Sequence, residues 1–141
     1  MEENKNGTLV GADSLTLAKA VASVLIEKKA LDVRVYYAGE ENTVTDYYVN
    51  ATGRSSTSVM ALADEVTYKI GLLGRNEKRV EGRQGKSWLL VDYGDVIVNV
   101  FDRPSREFYN FDRLLSEDAR VDISDVIEAI DKKYDINVKE D

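Results

Sequence analysis

The carboxylates with the best spacing for chemistry are two aspartates at a predicted turn. Asp92 and Asp95 flank a Tyr-Gly pair in WLLVDYGDVIVNVF, residues 88–101, and Gly94 permits a tight turn. Hard divalent cations prefer oxygen ligands, so two converging carboxylates could hold such an ion. Two ligands are too few, and Asp102 lies at the far end of the next predicted strand. We therefore expect helix capping or pairing with arginine, and no metal.

The sequence Gly53-Arg54-Ser55, between a predicted strand and a predicted helix, is a candidate phosphate site. Backbone N–H groups at the start of a helix attract anions. Neither GxGxxG nor GxxxxGKS/T is present, however, and a glycine followed by serines is more typical of a turn with a helix cap. We favour the turn and cap over phosphate binding.

The short segment Arg106-Glu107-Phe108-Tyr109 mixes charge with aromatic rings. Tyrosine and arginine are over-represented at the centres of protein interfaces, which favours a contact surface. The alternative is that Phe108 and Tyr109 close the core while Arg106 is solvated. The residues alone leave these two interpretations evenly matched.

Composition limits the function classes. With 141 residues, 43% of them hydrophobic, the chain can form one domain with a buried core. It has no cysteine and no histidine, which excludes disulfides and thiolate metal sites and removes the usual general base. The formal charge of -7 argues against direct binding to nucleic acid and favours a basic partner, although solubility alone would also explain it. We expect no cofactor.

The N-terminal residues 1–13, MEENKNGTLVGAD, are polar and contain no sustained apolar run. This composition fits neither a secretory signal nor a membrane span. We therefore expect a cytoplasmic protein with no membrane contact.

The first half of the chain predicts a helix and a pair of strands. Residues 1–12 are expected to form a flexible lead, and Asp13 is expected to cap a helix over residues 14–29. Strands are predicted over residues 33–37 and 47–51, joined by a polar segment that allows a hairpin.

A second helix follows the Gly53 turn and is expected to stop at Gly74. Its apolar stripe recurs at helical spacing and consists of Val59, Leu62, Val66, Ile70 and Leu73. Residues 75–86 are expected to form a connector, and residues 88–101 a hairpin. In the first strand of that hairpin, one face carries Trp88, Leu90 and Asp92, and the other carries Leu89, Val91 and Tyr93.

The C-terminal part predicts two more helical segments. Pro104 is placed to start a short helical turn, and a last helix is expected over residues 124–134 behind a Ser124 cap, with fraying over residues 137–141. The order of elements predicts a single α/β domain over residues 13–123, with a mixed β-sheet and flanking helices, followed by a C-terminal helix and tail over residues 124–141.

The central segments resemble a known family. Residues 103–123 read RPSREFYNFDRLLSEDARVDI, and residues 46–66 read DYYVNATGRSSTSVMALADEV. With the hairpin segment, they resemble the ribosomal silencing factor family, also called RsfS or Iojap, over roughly residues 15–123. The residues whose combination carries the resemblance are Trp88, Asp92, Asp95, Arg106, Glu107, Tyr109, Leu114, Arg120 and Val121.

The resemblance implies a translational repressor that is not an enzyme. It implies binding to the large ribosomal subunit through ribosomal protein fourteen, a steric block to small-subunit joining, and silencing under nutrient limitation. The implied fold is nucleotidyltransferase-like without catalytic acids, and no Asp-x-Asp follows Gly53 here. A homodimer is also implied. The alternatives are a vestigial nucleotidyltransferase-like protein that binds nucleotide through Ser55, and a dimeric scaffold without ribosome contact.

The acidic charge of the chain, taken together with the basic partner that the resemblance implies, predicts which residues meet that partner. Trp88 and Tyr109 would give apolar burial, Asp92 and Asp95 would meet lysine or arginine of a basic protein surface, and Arg106 would contact an acid or a carbonyl. Glu107 adds acidic charge to the same surface. If Trp88 is fully buried in the monomer, its role becomes structural.

Two positions depart from the family pattern. Asn99 stands where the family commonly has histidine, and Ser58 stands where glutamine is common. Asparagine donates and accepts hydrogen bonds as a neutral imidazole does, but it cannot become charged. A pH-sensitive role for position 99 is therefore excluded in this chain.

Overall fold

The computed structural model describes residues 9–139, with side chains described through residue 134. Residues 1–8 of the predicted flexible lead lie outside this range, as do residues 140 and 141. Leu9, which was also assigned to the lead, is 2% exposed, and its N–H donates to the carbonyl of Leu73 at 2.9 Å. Leu9 therefore belongs to the core, because its side chain fills apolar space and its backbone is tied to the second helix.

The described residues form a six-stranded mixed sheet. The strands are β1 (Leu31–Tyr37), β2 (Tyr47–Gly53), β3 (Arg79–Glu81), β4 (Trp88–Asp92), β5 (Val96–Asp102) and β6 (Arg120–Val121). Their order across the sheet is β3-β4-β5-β2-β1-β6. The central β5–β2 pair is parallel and the other four pairs are antiparallel. The predicted mixed sheet and both predicted hairpins, β1–β2 and β4–β5, are confirmed.

Within residues 9–139, four helices accompany the sheet: α1 (Ser14–Glu27), α2 (Ser56–Leu72), α3 (Arg103–Tyr109) and α4 (Ser124–Lys139). Two short 3-10 turns, Phe111–Leu114 and Glu117–Ala119, follow α3. The predicted cap of α1 is confirmed, because the Asp13 carboxylate accepts from the Thr16 N–H at 2.8 Å. None of the described helices is long and apolar enough to cross a membrane.

One face of the sheet is closed by α1 and α2, and we call it the closed face. The predicted alternation of β4 is confirmed there, since Leu89 and Val91 are fully buried while Trp88, Leu90 and Asp92 are half-buried on the other side. Burying one such aliphatic side chain contributes roughly 1.5–3 kcal/mol. The buried residues that α1 and α2 supply are Leu17, Ala18, Val21, Ala22, Leu25, Val59, Leu62, Ala63, Val66 and Ile70.

The predicted turn and cap at Gly53 are also seen. Ser55 is the N-cap of α2, and its hydroxyl accepts from the Ser58 N–H at 3.1 Å. A Cβ at Gly53 would lie 2.9 Å from both the side chain and the backbone nitrogen of Val59, so the glycine allows helix and strand to pack closely. These roles in packing and capping account for the glycine and the serine without a nucleotide.

The ends of the chain differ from the sequence prediction. Helix α4 begins at Ser124, but the carboxylate that accepts the Ser124 N–H belongs to Asp122, at 2.9 Å. The helix also continues through Lys139, into the stretch predicted to fray. It lies against α1, to which it is joined by the ion pairs Lys19–Asp125 at 2.9 Å and Lys133–Glu27 at 3.1 Å, and its Ile130 is 9% exposed. These contacts stabilise a helix that the sequence prediction placed in a separate C-terminal segment.

Candidate functional site

The second face of the sheet is partly open. Within residues 9–139, α3 and the 3-10 turn after it cover this face only in part, and they leave large apolar side chains exposed. We call it the open face. Its strand residues include Tyr48, Asn50, Thr52, Trp88, Leu90, Ile97, Asn99 and Phe101.

Three aromatic rings in contact form what we call the aromatic patch: Trp88, Phe108 and Tyr109. The ring centroids of Trp88 and Tyr109 are 4.9 Å apart, and those of Phe108 and Tyr109 are 5.1 Å apart. Phe108 is 80% exposed and Tyr109 is 51% exposed, while Trp88 is half-buried with its ring 4.9 Å from that of Phe101. Trp88 is therefore neither a core residue nor a free surface residue; it is the inner member of an exposed aromatic group.

Beneath the patch, a chain of hydrogen bonds connects four elements, namely β4, β5, β2 and the 3-10 turn after α3, and we call it the amide relay. The Trp88 indole Nε1 donates to Asn99 Oδ1 at 2.9 Å, and Asn99 Nδ2 donates to Asn50 Oδ1 at 3.0 Å. Asn50 Nδ2 then donates to Asp112 Oδ1 at 2.7 Å. Asn50 is fully buried and Asn99 is 1% exposed, so these bonds replace water for both amides.

Arg106 lies at the end of this network and is 8% exposed. Its Nε donates to Asp112 Oδ2 at 2.7 Å, and its Nη1 donates to Thr52 Oγ1 at 2.8 Å. Its Nη2 donates to the Asp32 carbonyl at 3.2 Å. The guanidinium is thus occupied inside the protein, which argues against the predicted contact between Arg106 and a partner.

The side chains of α3 are exposed in the opposite way to that expected if its aromatic residues closed the core. Among the seven residues of α3, Arg106 is the buried one, while Phe108 and Tyr109 point outward. An arginine can be buried here because β1, β2 and the 3-10 turn supply an acceptor for each donating nitrogen. The alternative in which Phe108 and Tyr109 close the core while Arg106 is solvated is therefore wrong.

The two turn aspartates pair internally with arginine, as expected. Asp92 accepts from the Gly94 N–H at 2.7 Å, and its other oxygen lies 3.3 Å from Arg79 Nε. Asp95 pairs with Arg75 at 2.8 Å. Among the residues that the structure describes, no group of His, Cys, Asp or Glu side chains could hold a metal ion. The arginines that pair with Asp92 and Asp95 offset the negative charge that the two carboxylates would offer to a basic surface.

The six predicted partner-binding residues therefore separate into three places. Trp88, Glu107 and Tyr109 lie at the end of the open face near α3, and Glu107 is exposed without an ion pair to any described residue. Asp92 and Asp95 lie at the hairpin turn, the opposite end of β4 from Trp88. Arg106 lies inside, because its position on α3 faces the sheet.

Sequence reasoning missed Asn50, Asp112 and Gly82. A Cβ at Gly82 would overlap the Trp88 carbonyl oxygen, and the φ of Gly82 is +96°, so glycine allows this close approach beside the patch. One usable signal was present: each of the two apolar strands YYVNATG and VIVNVFD carries a single asparagine. Two amides in neighbouring buried strands indicate a hydrogen-bonded pair.

Comparison with known proteins gives a consistent result. The family model described as "Ribosomal silencing factor during starvation" matches residues 11–140. The ribosomal silencing factor RsfS of Zymomonas mobilis is 32% identical over 102 residues, which cover 72% of this chain and 77% of that protein. The RsfS of Bacillus subtilis is 31% identical over 108 residues, which cover 77% of this chain and 92% of that protein.

The fold has relatives among solved structures. A crystal structure of a protein from Chromobacterium violaceum superposes with a TM-score of 0.70 at 28% identity and covers 73% of this chain and 86% of that one. Sequence and fold thus agree over most of the length of each relative. This chain belongs to the ribosomal silencing factor family, also called RsfS or Iojap.

Proposed function

We propose that this protein binds the large ribosomal subunit through ribosomal protein fourteen and blocks association with the small subunit, which silences translation under nutrient limitation. Membership in the ribosomal silencing factor family supports a ribosome-associated role that is not enzymatic. The finer steps, the partner protein and the block to joining, are the proposal. A cytoplasmic location and a homodimer in the free state belong to the same proposal.

The observation that carries the proposal is the aromatic patch. Single exposed apolar residues are ordinary. Here the rings are in contact and Phe108 is 80% exposed, so covering this surface with a partner would lower the free energy. Tryptophan and tyrosine are frequent at the energetic centres of protein interfaces because they bury large areas with few rotatable bonds. In the proposed complex, Trp88 and Tyr109 are buried against the ribosomal protein, and Phe108 joins them.

Charge contributes mainly to the rate of encounter. The formal charge of -7 attracts a basic protein surface over a Debye length, an effect that salt weakens. At the contact itself, Glu107 is the acid free to meet a cation, because Asp92 and Asp95 would first have to leave Arg79 and Arg75. We therefore assign affinity to the patch and long-range steering to the net charge.

Occlusion requires no chemistry from this protein. A typical stable interface covers about 800 Å² per partner, so much of a domain of this size would still project from the subunit. A projecting domain blocks a second large surface from docking at the same place. The nucleotide-binding alternative has lost its support, because Ser55 caps α2 and Gly53 serves close packing.

The direct test is co-sedimentation with isolated large subunits. Phe108→Asp places a charge in the patch on a side chain that is 80% exposed, so the fold should be preserved. Tyr68→Asp is the matched control, since Tyr68 is 62% exposed on α2 at the closed side. We expect Phe108→Asp to abolish co-sedimentation and Tyr68→Asp to leave it unchanged.

Two results would contradict the proposal. Wild-type protein that fails to co-sediment with large subunits would remove ribosome binding. Normal co-sedimentation of Phe108→Asp would move the docking surface elsewhere. If wild-type protein binds, mixing the complex with small subunits and measuring subunit joining by light scattering tests the block; full joining would exclude it. Analytical ultracentrifugation of Phe108→Asp tests whether the patch also serves a homodimer.

A further inference from the structure

We propose that Asn50, Asn99 and Asp112 are positioning residues, which fix the Trp88 ring and hold the two halves of the aromatic patch in register. The inference rests on the proposed function in one respect, namely that the patch is the docking surface. The positioning itself follows from the chemistry of the amide relay and can be measured without a ribosome.

The amide relay can be assembled in one direction only. The indole nitrogen of Trp88 can donate but not accept, and the ionised carboxylate of Asp112 can accept but not donate. Between these two ends, each asparagine must present its oxygen toward Trp88 and its nitrogen toward Asp112. Turning either amide over would place two donors or two acceptors face to face, so the chemistry of the two ends determines both orientations.

Because the two amides are buried, any departure from that single arrangement raises the free energy of the folded protein. Asn50 and Asn99 are 0% and 1% exposed, so a lost partner cannot be replaced by bulk water. A buried polar group without a partner is strongly unfavourable. Rotation of the Trp88 ring out of its position would leave Asn99 Oδ1 in that state. The relay therefore restricts a ring that, as a half-buried side chain, would otherwise have room to move.

Asp112 also joins the two halves of the patch. One of its oxygens accepts from Asn50 and leads to Trp88 on β4, and the other accepts from Arg106 on α3. Helix α3 carries Phe108 and Tyr109, and Arg106 is its buried residue. A single carboxylate thus links the strand half and the helix half of the patch, which sets the 4.9 Å spacing of the Trp88 and Tyr109 rings.

The test uses variants that reverse or restore the donor-to-acceptor order between positions 50 and 112. Asn50→Asp keeps the size of the side chain but places a second carboxylate against Asp112, across a gap that is 2.7 Å in the wild type. Asp112→Asn leaves one oxygen for two donors, Asn50 Nδ2 and Arg106 Nε. The double variant restores every bond, because an amide at position 112 accepts from Arg106 and donates to a carboxylate at position 50. Its net charge equals that of the wild type.

Trp88 supplies a specific signal, because it is the one tryptophan in the chain. We expect Asn50→Asp and Asp112→Asn each to red-shift the fluorescence of Trp88, to lower its anisotropy and to weaken binding to isolated large subunits by roughly tenfold or more. The double variant is expected to regain most of all three. Asn76→Asp is the control for charge, since Asn76 is exposed, and it should change none of them.

Each outcome decides the inference. A folded double variant that regains neither emission nor affinity would overturn it. Wild-type emission and affinity in Asn50→Asp would also overturn it when measured at alkaline pH, where the two adjacent carboxyls no longer share a proton. If Asn50→Asp does not fold, Asp112→Asn and the double variant decide it, because Asp112 lies near the surface, with 15% of its side chain exposed. If wild-type protein does not bind large subunits, the proposed function fails, while the emission changes still decide the positioning of Trp88.

Discussion

The two faces of the sheet differ in what holds them together. The closed face buries aliphatic side chains from α1, α2 and every second strand residue, and its order comes from apolar packing. The open face is ordered by the amide relay and by Arg106, and its aromatic side chains remain partly exposed. One sheet therefore carries an aliphatic core on one side and, on the other, the surface that we propose as the docking site. Replacing adjacent residues of one strand should therefore have different effects: a substitution of Leu89 should mainly lower stability, and a substitution of Trp88 should mainly lower affinity.

The largest effect is expected on the closed face, from Leu89→Ala. Leu89 is fully buried, and removing a buried leucine side chain typically costs about 3 kcal/mol through lost transfer energy and the cavity left behind. Urea denaturation should report this loss in the free energy of unfolding. The folded fraction should bind large subunits with wild-type affinity; weakened binding by fully folded protein would show that the two faces are not separate.

The next effect is expected from Trp88→Ala, one residue away on the open face. If Trp88 is an energetic centre of the interface, affinity for large subunits should fall by about 2 kcal/mol or more, roughly thirtyfold. The free energy of unfolding should also fall, because the variant leaves Asn99 Oδ1 without its donor. The loss should be smaller than in Leu89→Ala, because the half-buried ring leaves a space that water can enter to bind this oxygen. Urea denaturation and binding to large subunits are measured for both variants, so that the loss of stability and the loss of affinity can be compared. A larger loss of stability than of affinity would make Trp88 a structural residue.

A smaller effect is expected from Gly82→Ala. A Cβ at this position meets the Trp88 carbonyl oxygen and the backbone has φ +96°, so the chain must shift. We expect about 1–2 kcal/mol of strain, shared between stability and the position of Trp88. Gly85→Ala is a matched control, because a Cβ there meets nothing within 4 Å. Equal stability and equal Trp88 emission in the two variants would contradict the assigned role of Gly82.

The smallest effect concerns acid stability. Hydrogen bonds from the side chain and backbone of Thr16 hold the pKa of the Asp13 carboxyl below its ordinary value. A carboxyl whose pKa is lower in the folded state stabilises above its unfolded pKa, and that contribution is lost as the pH falls through the folded pKa. Asp13→Asn still caps α1 but does not titrate. The difference in Tm between wild type and Asp13→Asn should therefore shrink between about pH 5 and about pH 2; a constant difference would contradict this.

The closed face was predictable because its pattern is local. Alternation in residues 88–92 assigned Trp88 and Leu89 to opposite faces, and helical spacing gave α1 and α2. Strands β3 and β6 were missed because they have three and two residues, too few for a periodic signal, and form only by pairing with β4 and β1. Their existence depends on partners that the local sequence does not specify.

The open face was less predictable because its order comes from distant contacts. Arg106 is buried by acceptors on Thr52 and Asp32, which lie 54 and 74 positions away in the chain. Asn50 and Asn99 meet only because β2 and β5 are parallel neighbours, a pairing that periodicity does not give. The sequence thus identified the aromatic residues of the surface as well as Arg106 and Asn99, but not Asn50 and Asp112, which complete the hydrogen-bonded network.

Hydrogen–deuterium exchange can show whether the open face docks on the large subunit. The chain is measured free and in complex with isolated large subunits, and exchange is compared peptide by peptide. We predict slower exchange on binding in residues 103–115 and 82–90, with α1 and α2 unchanged. Slower exchange in α1 or α2, with residues 103–115 unaffected, would place the docking surface on the closed face and contradict docking through the open face.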